Sequence, residues 1–161
     1  MAGDVTSNEV FLSKIIFEEM YDVQLNISLD TKTPEIDSKN YLIVGNSNFD
    51  KDLFRKGISF AEQLAEFFDY PYVNFVVASK SEDVIKELND KFQKIDENIE
   101  DKLNTILDNL NISEDSRNFI KSNFNQVYFE ITPNEETALN EMLKYPFYKG
   151  IVKDMIDLKF V

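Results

Sequence analysis

The chain has 161 residues, 43% of them hydrophobic with 14 Phe and 7 Tyr, enough for one packed domain or two small lobes and too apolar for bulk disorder. Its 30 acidic and 17 basic residues leave a net charge of −13, which repels a phosphate backbone and argues against nucleic-acid binding. With neither cysteine nor histidine, it has no disulfide, no thiolate nucleophile, no Cys- or His-ligated metal and no Ser-His-Asp catalysis.

No metal or cofactor is expected. A hard cation held by oxygens stays open by residue type, but no Asp-x-Asp-x-Asp-Gly loop is present. Met1-Ala2-Gly3-Asp4-Val5 lacks the basic start and apolar core of a signal peptide. No apolar run approaches the ~18 residues of a membrane span. A cytoplasmic location is therefore expected, with no membrane partner. The acidity reads either as a solvated surface or as a decoy for a basic protein groove.

The first helix begins at Thr6, whose capping box is completed by Glu9. Val10, Phe11, Leu12, Ile15, Ile16 and Met20 give it a broad apolar face, and Tyr21-Asp22 ends it. Val23, Leu25, Ile27 and Leu29 alternate with polar residues, the pattern of a half-buried or edge strand. A polar loop follows from Asp30 to Asn40. Tyr41 to Val44 is predicted as a short buried strand, with Gly45-Asn46-Ser47-Asn48 at its carboxyl end.

Ser59 opens a second capping box with Glu62, and Phe60, Leu64, Phe67 and Phe68 face inward. After the turn Asp69-Tyr70-Pro71, Tyr72 to Ala78 is predicted as the third strand, lying beside the second as an interior ribbon. Beyond Ser79-Lys80-Ser81 the pattern is helical. Val84, Leu88, Phe92, Ile95, Ile99, Leu103, Ile106 and Leu110 mark one stripe, either a coiled-coil seam or a long helix packed on its own domain. Ser113 can cap the next helix. Thr132-Pro133-Asn134-Glu135 is the strongest helix start in the chain. Tyr145-Pro146-Phe147 is expected to interrupt that helix before a last one near Ile151 to Leu158.

The expected class is α/β: a small parallel or mixed three-stranded sheet flanked by helices in residues 1–80, with an all-helical extension in 81–161. Ligands of such sheets bind past the carboxyl ends of the strands.

The order of segments carries a resemblance. A hydroxyl-rich helix start (Thr6-Ser7-Asn8-Glu9) comes first, then an apolar strand ending in Gly45-Asn46. Tyr70-Pro71-Tyr72-Val73-Asn74-Phe75 follows, and Phe124-Asn125-Gln126-Val127-Tyr128-Phe129 precedes a capped helix. From Thr6 to Lys144 this resembles the second lobe and C-terminal helices of the chorismate dehydratase family of menaquinone biosynthesis by the futalosine route. More broadly it is similar to type 2 periplasmic-binding-protein-like folds. The resemblance implies a small anionic ligand and, if the protein is catalytic, a carbon–oxygen lyase that eliminates water from chorismate. It also implies that a first lobe, from a homodimer mate or a separate partner, completes the cleft.

The candidate ligand-binding residues are Thr6, Ser7, Asn46, Ser47 and Asn74; no catalytic residue is assigned. Thr6 and Ser7 stand at a helix start, where free amides favour an anion or simply need a cap. Asn46 and Ser47 follow a strand end and read equally as a polar turn. Asn74 is the one amide in an apolar run, and a buried amide must find a partner. The aromatics Phe67, Phe68, Tyr70 and Tyr72 read as core, Lys80 as a solvated lysine, and the pairs Glu18-Glu19 and Glu135-Glu136 as solvated. The alternative to ligand binding is a non-enzymatic acidic module that binds a basic protein.

Overall fold

The structure, a computed structural model, describes residues 1–31, 39–50, 52–127 and 129–160. In chain order it comprises β1 (Ala2–Gly3), α1 (Ser7–Tyr21), β2 (Ile43–Val44), α2 (Ser47–Asp50), a 3-10 turn at Leu53–Lys56, α3 (Phe60–Phe68), α4 (Glu82–Asp108), α5 (Glu114–Asn123), a 3-10 turn at Phe124–Gln126 and α6 (Pro133–Tyr148). Helix dominates. Most of the expected Asp30–Asn40 loop lies outside the described residues, as does Tyr128 of the family-like run.

Two compact units divide the chain at other points than residue 80. One contains Met1–Phe67 and Asn111–Ile120, the other Phe68–Leu110 and Lys121–Val161.

The first unit holds the sheet. β1 and β2 run parallel, with Ala2 opposite Ile43 and Gly3 opposite Val44. Ala2 N donates to Leu42 O at 3.0 Å and Asp4 N to Val44 O at 3.1 Å. Of the expected strand at 41–44 only Ile43–Val44 forms, half-buried, and β1, which sequence reasoning left unassigned, is its partner. β1 has only two residues, too few to show any period.

The expected three-stranded sheet is corrected to two strands among the described residues. Val23–Leu29 forms no strand, although Leu25 and Ile27 are half-buried between exposed neighbours. It reaches β1 through one pair of parallel-type hydrogen bonds: Met1 N to Ser28 O at 2.7 Å and Asp30 N to Met1 O at 2.8 Å. Tyr72–Ala78 is neither a strand nor buried. Its composition suits a strand, but a strand exists only where another backbone pairs with it, and no described strand pairs with this run.

Helix α1 starts at Thr6 as the capping box predicts and ends at Asp22, whose φ of 53° closes it in the left-handed region. Glu9, Leu12, Ser13, Ile15 and Ile16 are buried, the row expected for one helical face. Burying one such Leu or Ile contributes about 1.5–3 kcal/mol. Tyr21 Oη donates to Gln63 Oε1 at 2.8 Å, tying α1 to α3, where Leu64 is buried. Ser59 Oγ accepts from Glu62 N at 3.2 Å at the start of α3.

In the second unit, α4 is one continuous 27-residue helix. Its inward row runs slightly off the expected stripe. Leu107 is buried and Ile85, Leu88, Ile99 and Leu103 are half-buried, while Val84, Phe92, Ile106 and Leu110 are exposed. The Ile95 side chain lies outside the described residues. In α6, Glu135, Ala138, Leu139 and Met142 form a buried row at steps of three and four. Phe68 meets Tyr145 edge-on, with ring centroids 5.1 Å apart.

Pro146 does not interrupt α6, which continues to Tyr148. Pro146 lies in the last turn, so few helical hydrogen bonds follow it, and the end carbonyls of Tyr145, Phe147 and Pro146 accept from Lys149 N, Gly150 N and Ile151 N. Gly150, at φ 67°, turns the chain away. The expected helix at Ile151–Leu158 does not form. A segment that short, with no capping side chain, does not recover the cost of nucleation.

Candidate functional site

The parallel pairing sets the site. The chain leaves β1 through Asp4-Val5-Thr6 into α1, and leaves β2 through Gly45-Asn46 into α2. Both exits lie past the same ends of adjacent parallel strands, where open α/β sheets bind ligands. Thr6, Ser7, Asn46 and Ser47 therefore belong to neighbouring exits. Asn74 does not join them: it belongs to the other unit and is exposed. The expectation of a buried amide there is corrected, since without a strand nothing covers it.

Two glycines let the exits approach each other. Gly3 has φ 87°, and a Cβ there would sit 2.0 Å from Val44 O. Gly45 has φ 76°, and a Cβ there would sit 2.1 Å from Asp4 Oδ2. Both positions need glycine for conformation and for space. The Asp4 carboxyl thus lies directly against Gly45.

The α1 start is already occupied. Glu9 Oε2 accepts from Thr6 N at 2.7 Å and from the Thr6 hydroxyl, while Thr6 Oγ1 accepts from Asn8 N at 3.1 Å. Burial pushes the Glu9 carboxyl up, but the Thr6 hydroxyl and amide outweigh it and hold it below the ordinary carboxylate value. The chain's own carboxylate takes the place that an anionic ligand would use. The exposed Ser7 remains open at this exit.

At the other exit, Asn48 does structural work that sequence reasoning missed. Its side-chain amide donates to Ile43 O at 2.9 Å and to Gly45 O at 3.2 Å, fixing the turn. Asn46 is exposed and Ser47 half-buried. The run Gly-Asn-Ser-Asn signalled a turn, but not which amide would turn inward.

A second polar cluster was not foreseen. Asp52, at φ 52°, accepts at Oδ1 from the Ser113 hydroxyl and from Ser116 Oγ, the latter at 2.7 Å. Ser113 Oγ also accepts from Ser116 N at 3.0 Å, so it caps α5 as expected. Ser116 is fully buried, and its oxygen lies 3.1 Å from Phe49 O. The single hydroxyl proton favours the shorter contact with Asp52. Hydrogen bonds from Ser113 and Ser116 hold the Asp52 carboxyl below its ordinary value, with Arg55 adding to them against partial desolvation. The rings of Phe49, Phe54 and Phe119 gather beside it, with Phe54 and Phe119 centroids 4.3 Å apart. Arg55 bridges to Asp115 at 2.6 Å. Asp52 supplies the negative charge at the α5 start from 61 residues away, so this cluster holds the fold together and leaves no place for a ligand.

The start of α6 repeats the α1 arrangement. Thr132 N and its hydroxyl donate to Glu135 Oε2, the former at 2.9 Å. Glu135 is buried, which corrects its reading as a solvated residue. Lys80 is exposed, and Tyr70 and Tyr72 are half-buried.

Comparison with known proteins gives no match: no family model fits the chain, and no curated protein or solved structure is similar to it. Among the described residues no helix is long and apolar enough to cross a membrane.

Proposed function

We propose that the first unit is a small-molecule-binding lobe whose site lies past the carboxyl ends of β1 and β2. The observation that carries this reading is the parallel pairing, which brings Asp4–Ser7 and Gly45–Ser47 to one edge with two glycines at the closest approach. The donors available there are the Ser7 hydroxyl and the Asn46 and Ser47 side chains. Asp4 and Glu9 are negatively charged hydrogen-bond acceptors.

A simple anion would meet two carboxylates. A hydroxylated organic acid fits better: its hydroxyl donates to Asp4 while its carboxylate accepts from Ser7 and Asn46. Chorismate carries both groups, which agrees with the resemblance to the chorismate dehydratase family. If the lobe is catalytic, the reaction is elimination of water, with protein hydroxyls and amides orienting the substrate. A dimer mate or partner lobe would close the cleft.

Amide chemical shifts of the folded protein during a chorismate titration test this. Shifts at Asp4–Ser7 and Gly45–Asn48 that saturate are expected. No shift at either exit overturns the reading.

A second reading has its own observation. Phe75, Val76 and Val77 are exposed in a chain of net charge −13, as suits an acidic module for a basic protein.

A further inference from the structure

Residues 73–78, Val-Asn-Phe-Val-Val-Ala, are the least explained part of the molecule. Asn74 apart, nothing in the run opposes a strand: it has three valines, one aromatic residue and no glycine or proline. Yet Phe75 is 88% exposed, Val76 50% and Val77 58%. Among the described residues no hydrogen bond reaches 73–78. The backbone N–H and C=O groups of the run thus have no hydrogen-bond partner among the described residues, and its side chains are exposed from Asn74 on. That combination is a template for pairing with another strand.

We propose that 73–78 takes up an extended segment of a basic partner protein by strand addition. The proposal rests on the acidic-module reading, to which it adds a surface and a partner chemistry, and it is independent of the ligand lobe. Backbone pairing supplies attraction without regard to sequence, and alternate side chains supply selectivity. In an extended run Val73, Phe75 and Val77 share one face, while Asn74, Val76 and Ala78 share the other. A partner strand with alternating β-branched residues matches both.

Charge selects the partner. A second copy would bring −13 against −13. In sequence the run is flanked by Asp69 before it and by Lys80, Glu82 and Asp83 after it. Glu82 is already engaged by Lys86 and Lys159, at 2.7 and 3.0 Å. That leaves Asp69 and Asp83 on the two sides of the run in sequence, which suits Lys or Arg at the ends of an incoming strand.

The test uses the full chain and a synthetic peptide of alternating Thr and Val with two Lys at each end. Residue-resolved amide hydrogen exchange is the readout. Without peptide, 73–78 should exchange at nearly the rate of an open chain. Saturating peptide should slow it by on the order of tenfold or more, as a closed ladder does. The protection should fall in high salt and with Glu in place of Lys. It should vanish with a peptide N-methylated at alternate residues. The double substitution Phe75→Ser with Val77→Ser, both at exposed positions, should abolish protection while leaving the circular dichroism spectrum unchanged.

Slow exchange at 73–78 in the free protein overturns the proposal, as does equal protection by the N-methylated peptide. Protection that appears only elsewhere overturns this surface but leaves an acidic module standing. Protection that rises with protein concentration alone, with a doubled mass by light scattering, replaces the basic partner with a second copy and overturns the assignment.

Discussion

The Asp52 cluster and the run 73–78 both bring aromatic residues to the ends of short elements, yet they end in opposite states. Around Asp52, three phenylalanines pack together, two hydroxyls converge on one carboxylate and an arginine bridges to α5. In 73–78, a phenylalanine and two valines stand in water with no hydrogen bond to a described residue. By composition the second stretch is the more apolar and ought to be the better buried. What separates them is a partner far away in sequence: α5 returns to the first, and no described residue hydrogen-bonds to the second. Burial follows from tertiary pairing, and local hydrophobicity is only an invitation to it.

The sharpest test of this contrast sets one aromatic against another. Phe54→Ala should destabilise the protein by about 2 kcal/mol, below the 3–5 of a fully buried Phe because this ring is half-buried. Urea unfolding followed at the first unit measures it. A loss near zero would mean that the stacked rings add nothing and that the contrast is one of appearance. Next comes Ser116→Ala, which removes the buried donor to Asp52 without enlarging the site. A loss of about 1 kcal/mol is expected, the usual net worth of such a bond. Replacing Ser113 alone should cost α5 its cap as well, through the Ser116 amide.

How far these features were legible depends on whether their cause is local. Both capping boxes, at Thr6 and Thr132, were readable because every participant lies within four residues. The α1 face was readable by period, down to Leu12 and Ile16, whereas the buried row Ala138, Leu139 and Met142 of α6 was not read. The sheet was legible only at Ile43–Val44. β1 is two residues long, and its partnership with β2 spans forty residues of chain. The third strand failed for the reverse reason: 72–78 carried a strong local pattern but lacked a neighbour. At the candidate site, the hydroxyl and amide residues of both exits could be named from sequence. That Glu9 fills the α1 start and Asp4 rests on Gly45 could not be, because each depends on how tightly two turns approach.

Acid should weaken the first unit in a way that tracks two carboxylates. Glu9 and Asp52 are both held below their unfolded values. Each therefore adds stability that is complete above about pH 4, the unfolded value, and is lost as pH falls through the lower folded one. The slope of stability against pH should be positive below that point. Glu9→Gln and Asp52→Asn should each flatten it. An unchanged slope in both would mean that neither carboxylate is held as its hydrogen bonds imply. The exposed pairs Glu82–Lys86 and Glu87–Lys91 also lower their carboxyls, but solvent and salt screen them, so they should contribute little to that slope.

The smallest expected effect is the most telling for 73–78. Phe75→Ser should change stability by no more than about 0.5 kcal/mol, as for any exposed position without a structural role. Because an exposed Phe gains nothing from folding, its removal should also improve solubility, which static light scattering at rising concentration would register. If Phe75→Ser instead lowers the urea midpoint as much as Phe54→Ala does, the ring is buried in solution and the run already has a partner within the chain. The unpaired backbone and the basic strand proposed to cover it would then both be withdrawn, and the two stretches would differ only in which part of the fold encloses them.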